Sequence, residues 1–285
     1  MISASLTRVR VRDLCLFGYH GVLPEENRLG QRFIVSLEVA ADLTAAMEGD
    51  NYEHAVCYGQ LSDVAHEIVT GPAIALIETV ADRIARTILE RFPKVEEVRV
   101  EVRKPSVPLP YAVSETSAEV VVKRQHRIGF SVGSNSGERE ACLHAAVNAL
   151  ARHEGVGIEQ VSSLYDTAPW GVEDQASFIN LCAVGKTVLA PQELLNVCKH
   201  IEYELGRIPG RRWGERAVDI DLLFYDDCEI DNSVLKLPHR HLFERAFVLE
   251  PLAELAPEMK ISGRRVDDAL ARLQRAPGDV TRRMS

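Results

Sequence analysis

The sequence predicts two α+β domains in tandem. A length of 285 residues suits two domains that each bury a core of their own. Alternation of polar and apolar residues, which is typical of half-buried strands, recurs in both halves together with helix-type apolar stripes. Between the two sets lies a polar stretch, Lys-Arg-Gln-His at 123–126. We interpret it as a linker between a domain of residues 1–122 and a domain of residues 127–285.

The first domain follows the order β-β-α-α-β-β. Alternation predicts four strands, at residues 8–17, 32–42, 95–103 and 113–122. Helices are predicted between the two strand pairs, at residues 59–69 and 73–92, and the second helix ends before Pro93. We expect one antiparallel sheet with both helices on one face, an arrangement that often completes itself by oligomerisation.

The second domain follows the order β-α-β-β-α-β. It begins with a strand at residues 128–132, a glycine-containing turn and a helix that ends near residue 153. The remaining strands are predicted at residues 158–165, 178–188 and 217–225, with a helix at 191–205. Helical patterns also occur at residues 247–255 and 266–273. The two domains therefore share the α+β class but differ in topology.

Composition and charge exclude several functional classes. The net charge is −9 and both halves are acidic, so no broad basic surface exists to bind a nucleic-acid backbone. The six cysteines include no C-x-x-C pair, which argues against a zinc ribbon or a disulfide scaffold and favours a reducing compartment. No apolar run approaches the length of a membrane span, and the N-terminus has no apolar signal core. We therefore expect a cytoplasmic protein with neither membrane nor nucleic-acid partners.

Glu78 and Lys104 are candidate functional residues of the first domain. On the predicted helix, Glu78 lies four residues after Ile74 and so beside the apolar stripe, where an unpaired carboxylate is costly. A planar ligand with an amidine-like edge, such as the 2-amino-pyrimidinone of a pterin, could pair with it through two parallel hydrogen bonds. An ordinary first-turn glutamate is the alternative. Lys104 follows a strand and precedes a stiffening proline-rich segment, although a solvated lysine would fit the same pattern.

Asp219 and Asp221 are the sharpest local feature of the second domain. Residues two apart in a strand face the same side, so the two carboxylates would share one face. At about 6–7 Å apart they repel by roughly 2.5 kcal/mol at an effective dielectric of about 20, and a magnesium ion would reverse that repulsion. Four arginines within residues 207–216 suit a polyphosphate, so the two features together favour nucleoside-triphosphate chemistry. The alternatives are a polar strand face and a solvated basic loop.

Five short motifs run in order through the first domain. They are residues 17–27 (FGYHGVLPEEN), 30–33 (GQRF), 58–59 (YG), 76–78 (LIE) and 102–105 (VRKP). In order and spacing they resemble the dihydroneopterin aldolase family, over about residues 5–122. The resemblance implies the tunnelling fold, a ring-shaped homo-oligomer (a tetramer or an octamer) and active sites at subunit interfaces.

The same resemblance implies roles for individual residues. Glu78, together with Ile77, would hold the pterin ring, and Lys104 would be the acid/base group. Tyr58, from a neighbouring subunit, would contact the pterin and assist proton transfer, and Glu26 would position the substrate for catalysis. A dihydropterin contains its own N5=C6 imine as an electron sink. The aldolase domain would therefore need no cofactor, and Lys104 would form no Schiff base.

Seven motifs cover most of the second domain. They are residues 133–135 (GSN), 165–169 (YDTAP), 178–180 (FIN), 212–216 (RWGER), 219–221 (DID), 237–239 (LPH) and 245–247 (RAF). They resemble the hydroxymethyl-dihydropterin pyrophosphokinase family over nearly all of residues 127–275. The resemblance implies a ferredoxin-like fold.

The pyrophosphokinase resemblance also implies a complete active site. Phe178 and Phe247 would sandwich the pterin ring, Asn180 would bind its edge, and Thr167 and Trp213 would line the same pocket. The two aspartates would hold two Mg²⁺, and ATP would be bound by a polar set consisting of Glu202, Arg212, Arg216, His239 and Arg245. The implied reaction is attack of the 6-hydroxymethyl oxygen on the β-phosphorus of ATP, which releases AMP.

The two implied activities are consecutive, because the aldolase product, 6-hydroxymethyl-7,8-dihydropterin, is the pyrophosphokinase substrate. We therefore expect a bifunctional enzyme of folate biosynthesis. In one alternative, only one domain is active and the other is a pterin-binding or oligomerisation module. In a second alternative, the first domain acts mainly as an epimerase on neopterin-type substrates.

Overall fold

The computed structural model of the chain describes residues 6–167, 177–206, 217–274 and 280–283. The chain divides into two compact units, Met1–Arg124 and Gln125–Ser285. The last strand of the first unit ends at Lys123, and the first strand of the second unit begins at His126. The connection outside the strands is therefore Arg124 and Gln125.

The first unit is an antiparallel sheet covered by helices. Its strands, in the spatial order β1-β2-β3-β4, are β1 (Thr7–Gly18), β2 (Gln31–Ala41), β3 (Val95–Lys104) and β4 (Thr116–Lys123). Its helices are α1 (Pro24–Leu29), α2 (Thr44–Gly49), α3 (Tyr58–Val69) and α4 (Ile77–Arg91), with a 3-10 turn at Tyr52–His54. The predicted α+β sheet is confirmed. The short helices α1 and α2 were not predicted.

One face of this sheet carries the core of the first unit. Alternate residues of β2 and β3 are fully or almost fully buried, as the period-2 pattern predicts. Against them pack the apolar faces of α3 and α4, so both long helices lie on one face. The central members of this core are Phe33, Val35, Leu37, Val39, Leu61, Val64, Ile84, Ile88, Val98, Val100 and Val102.

Helix α4 begins at Ile77, four residues later than the sequence pattern predicts. The later start results from contacts between Ile74 and a segment that is distant in sequence. The backbone N–H of Ile74 donates to the His20 ring at 3.0 Å, and its carbonyl accepts from the N–H of Gly21 at 3.0 Å. Because both backbone groups of Ile74 are engaged by another segment, the residue lies outside the helix. The inference that placed Glu78 beside Ile74 on one helical face is therefore wrong, and Glu78 lies in the first turn of α4.

Arg124 stabilises the end of α4. Its guanidinium group donates hydrogen bonds to the carbonyl oxygens of Leu89 (2.6 Å), Phe92 (2.9 Å) and Val95 (2.8 Å). Carbonyl groups at a helix C-terminus have no partner within the helix. Arg124 supplies that partner, so this half of the short connection is a structural part of the first unit.

The second unit contains a larger sheet. Its main elements are β5 (His126–Ser134), α5 (Arg139–Arg152), β6 (Val156–Val161), β7 (Tyr165–Thr167), β8 (Phe178–Thr187), α6 (Pro191–Glu204) and β9 (Asp219–Tyr225). They are followed by β10 (Ile230–Asp231), β11 (Lys236–Leu237), α7 (Ala246–Leu255), β12 (Lys260–Ile261), β13 (Arg264–Arg265), α8 (Val266–Arg272) and β14 (Val280–Arg282). The two short pairs β10-β11 and β12-β13 form separate hairpins.

Strand pairing in the second unit gives the ferredoxin-like arrangement that was predicted. The spatial order is β14-β7-β8-β5-β9, and β6 also pairs with β8, on the same edge as β7. All of these pairs are antiparallel. The single strand predicted at 158–165 is thus two strands along one edge of β8. Strand β14, which was not predicted, pairs with β7 and extends that edge.

Both faces of the second sheet are covered. Helices α5 and α6 pack on one face, against the apolar side chains of β5, β8 and β9. Helix α7 packs on the other face, against Cys182, Val184 and Phe224. Strands buried on both faces explain why β8 is almost entirely apolar instead of alternating.

All six cysteines lie in the described residues, and all are free thiols. Cys198 and Cys182 are buried in the cores, and burial raises the pKa of both, that of Cys198 to about 12. No two of the six are joined by a disulfide bond. In the ranges that the structure describes, no helix has the length and apolar character needed to cross a membrane.

Candidate active sites

Glu26 and Lys104 form an ion pair in the first unit. Glu26 lies on α1 and Lys104 is the last residue of β3, and their side chains are only 10% and 12% exposed. The Glu26 carboxylate also accepts hydrogen bonds from the Gln31 side chain at 3.2 Å and from the backbone N–H of Leu23 at 3.1 Å. Burial acts to raise the pKa of Glu26, but the hydrogen bonds from Lys104 and Leu23 outweigh it and lower the pKa below its ordinary value. The structure therefore holds a charged carboxylate against an ammonium group at a position that is largely shielded from solvent.

The loop that carries Glu26 is built around this carboxylate. The side-chain amide of Asn27 donates to the carbonyl oxygens of Tyr19 and Gly21, each at 2.9 Å, and ties the loop to the end of β1. Any Cβ at Gly21 would collide with the Glu26 carboxylate. Pro24 and Glu25 lie in the first turn of α1, and both residue types favour a helix start there. Residues of the motif at 17–27 therefore determine the position of the Glu26 side chain.

The other predicted residues of the first site lie on helix starts. Ile77 and Glu78 are the first two residues of α4, and Tyr58 is the first residue of α3. Glu78 is exposed, and the Tyr58 side chain is 69% exposed. Among the described residues, no hydrogen bond or ion pair joins the Glu78 or Tyr58 side chain directly to Glu26 or Lys104. A direct contact is therefore shown for only one pair of the predicted site residues, Glu26 and Lys104.

Strand register brings the predicted groups of the second site together. Gly133, near the end of β5, is paired with Asn180 on β8 on one side and with Asp219 on β9 on the other. Thr167 on β7 is paired with Phe178 on β8. The residues predicted to bind the pterin and those predicted to bind metal therefore lie at the same end of one sheet.

Asn180 and Thr167 are in direct contact. The Asn180 side-chain amide donates to the Thr167 hydroxyl oxygen at 2.7 Å, and both side chains are buried. The backbone of Gly133 lies against the same amide, because a Cβ at Gly133 would be 2.5 Å from the Asn180 Oδ1. The guanidinium carbon of Arg245 lies 5.4 Å from the centre of the Phe247 ring. Four of the predicted binding residues thus form two contacting pairs.

Asp219 and Asp221 share one face of β9, as predicted. Both are partly exposed, whereas Ile220 between them is buried. The carboxylate of Asp221 lies 3.6 Å from a guanidinium nitrogen of Arg245 and 3.8 Å from the Nε2 of His239. Burial lowers the pKa of His239 to about 4, so its imidazole is neutral at pH 7 and serves as a hydrogen-bonding group.

Glu202 contacts the backbone that carries the two aspartates. It is 1% exposed, and its carboxylate accepts a hydrogen bond from the N–H of Ile220 at 2.8 Å. Lys199 donates to both of its oxygens at 3.0 Å. Burial raises the pKa of Glu202, while the charge of Lys199 opposes the rise. Sequence reasoning placed this residue among the ATP ligands and did not reveal this contact, which joins residues 18 positions apart.

The donor set on β9 suits magnesium. Mg²⁺ in proteins is commonly held by one or two carboxylates together with substrate phosphates, and Asp219 and Asp221 offer two carboxylates beside cationic groups that favour phosphate. The described residues contain no cluster of three or more His, Cys, Asp or Glu that could hold a metal without the substrate. Three predicted residues, Arg212, Trp213 and Arg216, lie outside the described residues.

Comparison with known families assigns two matches to the chain. Residues 9–121 match the family described as dihydroneopterin aldolase. Residues 129–257 match 7,8-dihydro-6-hydroxymethylpterin-pyrophosphokinase (HPPK). The matches are consecutive and do not overlap.

Individual relatives are similar to one or both parts. The 2-amino-4-hydroxy-6-hydroxymethyldihydropteridine pyrophosphokinase of Methylorubrum extorquens is 46% identical over 147 residues, which are 52% of this chain and 93% of that protein. The folic acid synthesis protein fol1 of Schizosaccharomyces pombe is 29% identical over 271 residues, 88% of this chain and 34% of that protein. Among solved structures, the E. coli dihydroneopterin aldolase in complex with neopterin is 23% identical, with a TM-score of 0.38. That likeness covers 41% of this chain and 98% of the E. coli chain.

The contact between Gly133 and Asn180 generates a prediction. In Gly133→Ala, the new methyl group must displace the Asn180 amide from its position beside Thr167. We expect affinity for 6-hydroxymethyl-7,8-dihydropterin to fall about tenfold, the equivalent of one buried hydrogen bond. Isothermal titration calorimetry of the pterin with each variant measures this affinity.

Gly157→Ala is the matched control, because a Cβ at Gly157 meets nothing nearer than the Lys186 carbonyl oxygen at 3.7 Å. We expect the control to bind like the unmodified chain. Unchanged affinity in Gly133→Ala would show that Asn180 does not depend on this glycine.

Proposed function

The chain belongs to the 7,8-dihydro-6-hydroxymethylpterin-pyrophosphokinase family through residues 129–257 and carries a dihydroneopterin aldolase domain before it, and we propose that Lys104 with Glu26 performs the aldolase chemistry. The chain is a bifunctional enzyme that catalyses the aldolase and pyrophosphokinase steps of folate biosynthesis. The alternative in which one domain is inactive is thereby set aside. The roles of individual residues, the oligomeric assembly and the binding of Mg²⁺ are our proposals.

The nearly buried Glu26–Lys104 pair is the observation that supports the aldolase mechanism. In dihydroneopterin, loss of the C2′ hydroxyl proton allows the C1′–C2′ bond to break. Glycolaldehyde leaves, and the electron pair passes through C1′ into the N5=C6 imine; proton return to C1′ then gives the 6-hydroxymethyl product. Lys104, oriented by Glu26, supplies and holds the proton at N5, and Tyr58 assists transfer at the hydroxyl. An ammonium group held by a carboxylate is a proton donor and not a nucleophile, so no Schiff base forms.

Glu78 provides the recognition of the pterin. Its carboxylate, in the first turn of α4, can accept two parallel hydrogen bonds from the 2-amino and N3–H groups of the ring, with Ile77 beside it. Because Glu78 is exposed, it is available to a ligand that approaches the surface of the unit. This position serves the predicted role, although the helical-face argument that first suggested it does not hold.

A neighbouring subunit completes the aldolase site. Tyr58 is 69% exposed and lies apart from the Glu26–Lys104 pair in one chain. Strands β1 and β4 lie at the two edges of the first sheet, and exposed sheet edges favour pairing with another chain. We therefore retain the predicted homo-oligomer, a tetramer or an octamer formed through the first unit. The predicted cytoplasmic location fits the six free thiols.

The end of the second sheet performs the diphosphoryl transfer. Asn180 and Thr167 hold the edge of the pterin, and Phe178 and Phe247 pack on its two faces. The 6-hydroxymethyl oxygen attacks the β-phosphorus of ATP as the bond from that phosphorus to the α-phosphate oxygen breaks, and AMP leaves. Two Mg²⁺ held by Asp219 and Asp221 would neutralise charge on the transferred group. Arg245 and His239, beside Asp221, orient the phosphates, with Arg212, Trp213 and Arg216 as the predicted further contacts.

Glu202 supports the predicted metal site through the backbone of β9. Its carboxylate is bound to the N–H between the two aspartates, and it is too buried to reach a nucleotide at the surface. We assign Glu202 the role of holding β9 in place. The ATP contact that the resemblance implies for Glu202 is made instead by Lys199 and the exposed groups around it. A strand held at Ile220 keeps both carboxylates facing the same side.

Lys104→Ala tests the aldolase mechanism. We expect dihydroneopterin cleavage to fall at least about a thousandfold, because the proton donor is lost, while pterin affinity survives through Glu78. Borohydride added to the unmodified enzyme during turnover should trap no covalent adduct. The readouts are glycolaldehyde release, pterin titration and intact-protein mass.

Lys94→Ala is a control on an exposed lysine of the same unit, which donates to the carbonyl oxygen of His54. Retained pterin binding in the titration reports that the first unit of each variant is folded, and pyrophosphokinase activity reports that the second unit is folded. A trapped pterin adduct on Lys104, or cleavage at the normal rate in Lys104→Ala, would refute the mechanism.

Mixing inactive variants tests the shared site. Oligomers assembled from equal amounts of Tyr58→Phe and Lys104→Ala chains should recover about a quarter of normal cleavage, since that share of sites pairs an intact tyrosine with an intact lysine. Glu26→Gln mixed with Lys104→Ala should recover nothing, because these two residues come from one chain. Mixed oligomers that stay inactive in the first pair would mean that Tyr58 acts within its own chain.

Asp219→Asn and Asp221→Asn test the pyrophosphokinase assignment. Each keeps the size of the side chain but removes a charge that holds Mg²⁺, so we expect AMP formation to fall at least about a thousandfold. Cleavage by the first unit should be unchanged. Asp231→Asn is the control, because Asp231 is exposed and its carboxylate is paired with Lys236 at 2.6 Å and not with a residue assigned to this site. Normal AMP formation in either variant would rule out the metal assignment.

A further inference from the structure

His20 is fully buried and uses both ring nitrogens. Its Nδ1 lies 3.0 Å from the backbone nitrogen of Ile74, and its Nε2 lies 2.9 Å from the carbonyl oxygen of Val69. A backbone N–H can only donate and a carbonyl can only accept. Nδ1 is therefore the unprotonated acceptor, and Nε2 carries the hydrogen that is donated to Val69. Burial lowers the pKa of His20, which favours this neutral form.

The two partners of His20 belong to the elements that carry Tyr58 and Glu78. Val69 is the last residue of α3, and Ile74 precedes the first turn of α4. Gly21, the next residue after His20, donates its N–H to the carbonyl of Ile74 at 3.0 Å. Residues 20 and 21 thus engage both backbone groups of Ile74, three residues before α4 begins.

The same short segment also determines the position of Glu26. Asn27 binds the carbonyl oxygens on either side of His20, those of Tyr19 and Gly21, and Gly21 lies against the Glu26 carboxylate. The segment therefore contacts Glu26 through Gly21 and the residue before α4 through the His20 ring.

We propose that His20 is a positioning residue that sets the distance between the pterin anchor Glu78 and the acid/base pair Glu26–Lys104. The inference rests on the proposed roles of these residues. A ring that both donates and accepts fixes the segment before α4 in two directions, and a shift of this segment moves Glu78 away from Lys104. His20 itself touches no substrate, because its side chain is enclosed.

Two substitutions separate the two hydrogen bonds of the ring. The amide nitrogen of glutamine lies about where Nε2 lies, so His20→Gln keeps the donor to Val69 and loses the acceptor for Ile74. The amide oxygen of asparagine lies about where Nδ1 lies, so His20→Asn keeps the acceptor for Ile74 and loses the donor. Each variant loses one buried hydrogen bond and should lose similar thermal stability.

We expect the two variants to differ in the kinetics of dihydroneopterin cleavage. In His20→Gln, KM should rise about five- to tenfold with kcat within about threefold of normal, because the anchor moves while the acid/base pair stays. In His20→Asn, KM should remain within about twofold of normal. Pyrophosphokinase activity of the same chains should be unchanged. A merely structural histidine would give equal KM values in two equally destabilised variants.

Equal KM values in the two variants would overturn the proposal, as would failure of both to fold, since His20 would then act in folding and not in positioning. Glu78→Gln, measured in the same assay, separates this outcome from failure of the proposed function. If Glu78→Gln binds the pterin normally, the anchor assignment is wrong. If Glu78→Gln is impaired while His20→Gln is normal, only the positioning role of His20 is wrong.

Discussion

Backbone pairing at strand ends determines where the chemical groups of both units lie. Lys104 is the last residue of β3, Asp219 is the first of β9, and Asn180 is close to the start of β8. At a strand end the hydrogen-bonded ladder still holds the backbone, but the side chain need not enter the core. Each polar group is therefore held by a rigid element at the end of its sheet. Gly133 illustrates this, because its two neighbours in the ladder are Asn180, which is predicted to bind the pterin, and Asp219, which is predicted to bind metal.

Charges near the cores are tolerated because each has a partner. Lys104 is paired with Glu26, Asp221 lies near Arg245, and the buried Glu202 is bound by a backbone N–H and by Lys199. An unpaired charge in these places would be costly. The two sites use this pairing differently. In the proposed mechanism, the first presents one ammonium group for moving protons, whereas the second gathers carboxylates and guanidinium groups for a metal–polyphosphate complex.

Glycines in the two signature motifs leave room for functional side chains. The absence of a Cβ at Gly21 leaves space for the Glu26 carboxylate, and its absence at Gly133 leaves space for the Asn180 amide. In both cases a Cβ would clash with the functional side chain, and Gly21 also has a positive φ of 152°, a conformation that L side chains rarely adopt. Such a motif records a tertiary contact, because the glycine and the side chain that it accommodates belong to different elements or to different turns of the loop.

Periodicity and motif spacing by themselves determined the two α+β units, the long helices, the family resemblances and the alternation of Asp219 with Ile220. These are properties of neighbouring residues, and a sequence records them directly. Tertiary structure alone decided that α4 starts after Ile74, that the strand beside β8 is split in two, that Glu26 contacts Lys104, and that Glu202 is hydrogen-bonded to the backbone of β9. Each of these depends on hydrogen bonds or ion pairs between distant positions, such as His20 and Ile74, which are 54 residues apart. Local propensity carries no information on such pairs, because they form only when separate elements pack together.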